Sequence, residues 1–413
     1  MAKKIFFCLA AIIFLKAAIL NAADFSSLNS LTDEALKNNP QIQAAKFRYE
    51  AAKARIRLLR TLDDPKIEYE YNKIIADMVG NRPPMRVFSV SQGIPFPAKL
   101  FLRREAARKE ADSYEQEYKE TENKVIKDVK EAYSNLFLSN KKIQLTKENL
   151  SLLAQFVEIA NKRYAVNKAG QQDPLKAQVE YSKLSNQLVL LEQENVITEA
   201  RMNSLLNRSP DAPLEPPQDS ANRRLSLNEE KILKLTKENR PELKSFKIMI
   251  RKSEIDYALA KQEYMPDFML KYSRAESKGK LGTWSGMLGV TVPLWFWEKQ
   301  DSFVREASAN VSVVKADYQA EENMILFEAR SSLAKYEAAK KLVDIYETGV
   351  LPQAQAAIET AERGYEADKI SFLDLLDSFR TLRDFQMEYF QAQADMEIAL
   401  ADLERTVGID LNK

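Results

Sequence analysis

Residues 37–71 read KNNPQIQAAKFRYEAAKARIRLLRTLDDPKIEYEY, and residues 238–272 read ENRPELKSFKIMIRKSEIDYALAKQEYMPDFMLKY. Pro40 falls on Pro241 and Pro65 on Pro266, both at an offset of 201. The match resumes downstream, where RYAVNKAGQQDPL (163–175) lies on GYEADKISFLDLL (364–376). Tyr164 pairs with Tyr365, Asp173 with Asp374 and Leu175 with Leu376, again 201 apart. Leu206 falls on Val407, followed by Asn207 and Gly408. Similarity held at one offset marks two copies of a single structural unit. The copies span about 24–208 and 227–409, with a tail at 410–413. Between them lies NRSPDAPLEPPQDSANRR, whose four prolines make 209–226 a linker. The two copies are expected to form one subunit, with neither folding as a separate domain.

Each copy predicts the same order: a short helix broken near Pro40 or Pro241, a second helix (Pro40–Leu62, Pro241–Glu263), two strand-like runs, a very long helix, a tight turn and a last helix. From Ala98 to Ala169 there is neither Gly nor Pro, 72 residues in all. A continuous helix of that length would span about 105 Å, so it needs coiled-coil or helical-repeat support. Val125, Val129, Ala132, Leu136, Leu152 and Phe156 recur at helical spacing and supply the apolar stripe. The second copy carries Gly349-Val350-Leu351-Pro352, which predicts an interruption or kink. That arm is three residues longer than its counterpart, with the surplus placed near Gly349.

The four strand runs are two-faced. In 65–73, Ile67, Tyr69 and Tyr71 alternate with Lys66, Glu68 and Glu70. In 86–95, Phe88, Val90 and Ile94 alternate with Ser89, Ser91 and Gly93. In 266–274, Phe268, Leu270 and Tyr272 oppose Met269, Lys271 and Ser273. In 284–293, Leu288, Val290 and Val292 oppose Met287, Gly289 and Thr291. Period-two alternation with aromatics suits strands with lipid on one face and water on the other. Phe96, Trp295 and Trp297 at the run ends suit an interfacial girdle. Two hairpins on a soluble helical body would leave open edges. Four strands cannot close a membrane barrel, whose smallest form has eight, so further copies of the chain must complete it.

The N-terminus reads as a signal peptide, 1–23: Lys3-Lys4, an apolar stretch Ile5–Leu20 broken by Lys16, then Ala22-Ala23. Its sixteen or so apolar positions are short for a membrane span. The one cysteine, Cys8, lies within this segment and not just after it, which speaks against lipidation. The remaining chain has 58 basic and 60 acidic residues, so bulk positive charge gives no reason to expect nucleic-acid binding. There is no His anywhere, which excludes a Ser-His-Asp triad or a His-ligated metal site. With one Cys there is no intrachain disulfide and no thiolate metal cluster. Gly279, Gly282, Gly286 and Gly289 lack the phosphate-loop fingerprint. Carboxylates are spread along helix faces with no acid–base pair in a cleft. No enzyme, cofactor or bound metal is expected.

The paired Asn-Asn-Pro and Asn-Arg-Pro openings, QGIPFPAKLFLRREAARKEAD (92–112) and GVLPQAQAAIETAERGYEA (349–367) resemble the TolC-type outer-membrane efflux protein family over essentially the whole mature chain. The resemblance implies a mainly α fold with a membrane β-barrel: a homotrimer whose four strands per subunit make a twelve-stranded barrel, continued by helices as a periplasmic tunnel. It implies a periplasmic adaptor and an inner-membrane pump as partners. PFPAKL is most similar to the branch serving heavy-metal and cation pumps of the resistance–nodulation–division class. The turns at about 167–173 and 368–374 then become the periplasmic tips, meeting the adaptor through Asn167, Lys168, Gly170 and Asp173.

The family pattern places Gly three residues after the aromatic and Asp nine after it. Here Asn167 and Asp368 hold the Gly positions, and both tolerate left-handed backbone. Asp173-Pro174 also reads as an N-cap followed by a first-turn proline. Asp374 and Asp377 match the aspartates that ring the family's entrance; threefold symmetry would gather six carboxylates. The family's closing arginine falls on Ile370, beside Lys369. This leaves an apolar constriction of Ile370, Phe372 or Leu373 as the alternative. Three functions remain: a passive exit duct for small solutes or metal cations, a protein-secretion duct of the same fold, and a non-channel periplasmic scaffold.

Overall fold

The computed structural model describes residues 28–72, 85–217, 228–277 and 280–411. The signal segment, the 73–84 connection and the second half of the linker lie outside the described residues. The elements in chain order are α1 (Leu28–Asn38), α2 (Pro40–Leu58), β1 (Lys66–Asn72), β2 (Met85–Ile94), α3 (Pro97–Ala165) and α4 (Gln172–Leu205). The second copy follows with α5 (Glu229–Asn239), α6 (Pro241–Gln262), β3 (Asp267–Ser277), β4 (Lys280–Thr291), α7 (Asp301–Ile345), α8 (Leu351–Glu366) and α9 (Phe372–Val407). Prolines open α2, α3 and α6, where a missing N–H costs nothing. The 69 residues of α3 run without a break, because no Gly or Pro interrupts their hydrogen-bond ladder.

The expected break at Gly349 takes another form. Tyr346–Val350 is one π-helical turn between α7 and α8, and Phe296–Gln300 is a second, just before α7. Their i→i+5 bonding takes extra residues into the helix without ending it. Pro352 lies just past this wide turn, where its missing N–H removes one ladder bond from the continuing helix. The three-residue surplus of this arm thus coincides with two wide turns.

The described residues divide into two units, each drawing on both copies. The first holds everything up to Gln43, Thr121–Arg240 and Ile325–Lys413. Its core joins the end of α3, the start of α4, α8 and the start of α9 through Leu153, Phe156, Ala177, Ile358, Leu376 and Phe379. Phe156 and Phe379 meet edge to face at 5.8 Å between centroids. Ala160 and Ala177 are fully buried, so the helices approach closely there.

Both copies close this unit by the same device. Asn39, buried just before Pro40, donates to the Leu205 carbonyl at 2.9 Å. Arg240, buried just before Pro241, donates to the Arg405 carbonyl. Each therefore satisfies a carbonyl at the end of its copy's last helix. All four positive-φ residues among the described residues are helix C-caps or the residues after them, and they form two pairs 201 apart: Asn167 with Asp368, and Asn207 with Gly408. A Cβ on Gly408 would lie 3.0 Å from the Asn239 carbonyl oxygen, at φ +82°. Gly408→Ala is therefore expected to lower unfolding free energy by about 1–2 kcal/mol. Denaturant melts measure this; an unchanged midpoint would refute the steric account.

The second unit, Ala44–Glu120 and Pro241–Met324, carries the sheet. Its order is β1-β2-β3-β4, antiparallel throughout, with a register shift between Arg274 and Glu276. The junction of β2 with α3 is pinned by Asp267, which accepts from the Phe96 N–H at 2.8 Å and the Lys99 ammonium at 3.0 Å. Lys99 is buried and also pairs with Glu263 at 3.3 Å. The lysine of PFPAKL is thus a structural tie. Strand β4 begins four residues earlier than the sequence predicts and ends at Thr291. Val292 therefore lies just past the strand, before the strand-breaking Pro293, and is exposed.

Candidate functional site: the paired helical turns and the two-faced sheet

Two turns of the first unit bring the sequence-selected residues together. Residues 166–171 join α3 to α4, and 367–371 join α8 to α9. In the first, the Lys168 N–H reaches back to the Arg163 carbonyl at 2.9 Å; in the second, Lys369 reaches Gly364 at 2.8 Å. Asn167 (φ 59°) and Asp368 (φ 57°) supply the left-handed residue that each closure requires. Both positions lack the glycine of the family pattern, and the backbone makes the turn without it.

The turns differ beyond that point. Ser371 N-caps α9, and Asp374 completes a capping box: its carboxylate accepts from the Ser371 N–H at 3.0 Å and hydroxyl at 2.8 Å. The first copy has Gly170 where Ser371 stands, so no such box can form there. Helix α4 starts at Gln172, capped by Gln171 without a side-chain bond. Asp173 is therefore not an N-cap, as its sequence context predicts, but a first-turn acid favoured by the helix dipole, and Pro174 is the third helical residue. Phe372 is buried beneath the turn, ring to ring with Tyr365 at 5.5 Å, so it is not available as an exposed constriction residue. Ile370 is half-buried; a Cβ on Gly364 would come 3.3 Å from its Cγ1. Leu373, Lys369, Asp368, Asp374 and Asp377 remain exposed.

Arg163 was not selected by sequence reasoning, yet it organises the second turn. It sits in the last turn of α3, with its side chain 13% exposed. Its guanidinium donates to the Tyr365 and Glu366 carbonyls, pairs with the Asp368 carboxylate and lies 4.5 Å from the Tyr365 ring centroid. A cation from one copy thereby caps the C-terminus of a helix in the other. Burial, reinforced by the Asp173 charge, pushes the Tyr365 hydroxyl above its ordinary range and keeps it neutral.

A second tie lies further along the same helices. Glu180 on α4 is buried and receives both Arg380 and Arg383 of α9, the latter at 3.2 Å. Burial pushes its carboxyl up. The Arg380 hydrogen bond and the charges of Arg380 and Arg383 outweigh this, leaving it below its ordinary 4.5. The unfolded chain then takes up the proton first. Stability from this site is complete above about 4.5 and is lost as pH falls through the lowered folded value. The Glu180→Gln variant should show lower stability at pH 7 and a flatter decline below pH 4.5 in pH-resolved thermal melts. Parallel curves for the two proteins would contradict that. Arg163, Glu180, Arg380 and Arg383 share one signal: their positions 201 away hold Gly364, Thr381, Val179 and Ser182, so the charge exists in one copy only.

In the second unit, antiparallel register places opposed residues on one face. Ile67, Val90, Tyr272 and Gly286 form one row; Tyr69, Phe88, Arg274 and Trp284 form the next. Leu270 with Leu288, and Phe268 with Val290, continue the same face. Tyr71 ends it opposite Arg86. Phe268 and its register partner Ile94 are half-buried, and the other apolar members of this face among the sequence-selected residues are exposed. The opposite face is the more polar one, with Met269 and Met287 among its residues: Lys271 bridges to Glu68 at 2.8 Å across β2, above Ser89, and Ser273 meets Ser285 at 2.7 Å. Both outer edges, β1 and β4, lack a strand partner within the described sheet. Among the described residues no helix is long and apolar enough to cross a membrane, and no cluster of three or more acidic, His or Cys residues could hold a metal.

The chain thus combines a four-stranded ribbon of two unlike faces with long duplicated helices. The outer membrane efflux protein family model matches residues 31–208 and 232–409, two spans 201 apart. The chain belongs to this family. It is 21% identical over 422 residues to outer membrane protein TolC of Vibrio cholerae, covering 96% of this chain and 94% of that one. It is 21% identical over 281 residues to the cobalt-zinc-cadmium resistance protein CzcC of Cupriavidus metallidurans, covering 67% of this chain and 66% of that one. The solved structure of CusC, described in terms of transmembrane channel formation, superposes with a TM-score of 0.81 at 16% identity, over 94% of this chain and 93% of that one.

Proposed function

We propose that this chain is the outer-membrane channel of a tripartite efflux system, a passive exit duct powered by an inner-membrane pump. The observation that carries the reading is the four-stranded ribbon: apolar on one face, polar on the other, unpaired at both edges. Three copies joined edge to edge give twelve strands, with the apolar face in lipid and the Glu68–Lys271 face lining water. The duplicated helices extend the duct into the periplasm. There Asn167, Lys168, Gly170 and Asp173 meet an adaptor protein, while Asp368, Lys369, Ile370, Leu373, Asp374 and Asp377 surround the entrance. The pump is of the resistance–nodulation–division class and the cargo a metal cation or small solute; the PFPAKL motif and the likeness to CzcC support this. The duct itself catalyses no reaction.

The test is fractionation and size. The full chain should sediment with outer membrane and run as a trimer in mild detergent; a detergent-free monomer would support the scaffold reading instead. The entrance is tested separately. The Asp374→Ala, Asp377→Ala double variant is expected to show larger single-channel conductance or altered cation preference, since two charges per subunit leave a narrow ring. Unchanged current and selectivity would remove the carboxylate ring from the account.

A further inference from the structure

We propose that the end of the sheet farthest from the helices carries a binding site for a phosphate-bearing lipid of the outer leaflet. The strands meet the helices at one end only: β1 follows α2, β2 runs into α3, β3 follows α6 and β4 leads to α7. Near the other end, two arginines stand on the apolar face. Arg86 is the second residue of β2, in register with Tyr71 and Glu276. Arg274 of β3 is in register with Phe88 and Trp284. The two arginines are thus diagonal neighbours on adjacent antiparallel strands. Such neighbours lie about 7–8 Å apart, within reach of long side chains. Both are exposed, and neither side chain has an ion pair or hydrogen bond among the described residues.

The surroundings select the ligand. A cation on the lipid-facing side is costly at the bilayer midplane and tolerated near the interface. Both arginines lie in the distal third of their strands, where long stems carry the charged heads outward. Phe88 and Trp284 flank Arg274 in its row, and Tyr69 meets Phe88 at 4.8 Å between ring centroids. Exposed rings at this depth suit the boundary between headgroups and acyl chains. Two guanidiniums against the one carboxylate of Glu276 leave the patch positive. Guanidinium forks match phosphate oxygens two at a time. A free anion would leave the rings uncovered. A zwitterionic headgroup would set its own cation against the arginines. A lipid with exposed phosphate answers both the charge and the rings. The site rests on the reading that this face meets lipid.

Native mass spectrometry of the full-chain protein in mild detergent, titrated with bisphosphorylated lipid A, tests this. The expected result is saturable binding, one lipid per chain, in preference to phosphatidylcholine. The Arg86→Gln, Arg274→Gln double variant should bind about tenfold or more weakly, and lysine at both positions should restore part of the affinity. Glu276→Gln should bind more tightly, because it removes a competing carboxylate. That variant gains affinity, so it decides the matter even if the double variant assembles poorly. Displacement of the lipid by excess inorganic phosphate would assign a water-borne anion and overturn the proposal. Equal uptake of phosphatidylcholine, or wild-type affinity in the double variant, would overturn it as well. A protein that never forms a membrane-inserted trimer overturns the duct reading and the site with it; an inserted trimer that takes no lipid A overturns the site alone.

Discussion

Leu288→Arg is expected to abolish insertion into the outer membrane, whereas Ser285→Arg, three residues earlier, is tolerated. Leu288 is 67% exposed and stands in register with Leu270 on the apolar face; Ser285 is opposite Ser273 on the polar face. A lipid-facing arginine near the bilayer midplane costs about 2–4 kcal/mol per chain, and a symmetric ring multiplies that by its copy number. On the water-lined face the same side chain keeps its hydration. Membrane fractionation and trimer yield in detergent read the two variants side by side. The scaffold alternative predicts that both are harmless, and equal outcomes in either direction would reject the assigned faces.

Arg163→Ala should produce the largest change in resting current. The guanidinium holds two carbonyls, a carboxylate and a ring of the second turn from a helix of the first copy. Losing a hydrogen bond made by a charged group costs about 1.5–3 kcal/mol. If the tie is present only in the narrow state, that loss raises the open fraction about ten- to a hundredfold, up to saturation. Single-channel recording gives the open fraction directly. Arg163→Lys should recover only part of the tie, because an ammonium lacks the planar fork that reaches several acceptors at once. A variant with wild-type open probability and unchanged thermal stability would mean that the tie is neither gate nor brace.

The sequence made the architecture readable because its signals were redundant. Pro40 and Pro241 mark helix starts at one offset, and alternation such as Ile67-Glu68-Tyr69-Glu70-Tyr71 states which face each residue takes. Strand limits were less legible: β4 starts at Lys280, in a Gly- and Ser-containing stretch whose weak alternation conceals its β structure. Turns at 166–171 and 367–371 are visible in the sequence, but the local bonding of Asp173 and the burial of Phe372 are not. Asp173 resembles Asp374 in sequence, yet only Asp374 has a serine three residues earlier with which to share hydrogen bonds. Phe372 looked available because a one-dimensional pattern does not show that Tyr365 covers it. Arg163 and Glu180 escaped for a related reason: each acts on groups about 200 residues away, and one charged residue among many on a helix carries no mark of a distant partner.

The unpaired edges of β1 and β4 also govern how defects are inherited. In the proposed trimer, a chain with a damaged edge would still offer its other edge to healthy sisters and be built into their rings. If two alleles are expressed equally, about one ring in eight contains only intact chains under threefold assembly. Edge lesions should therefore be genetically dominant. Losses that prevent the chain from reaching the membrane at all remove it from the pool and should be recessive.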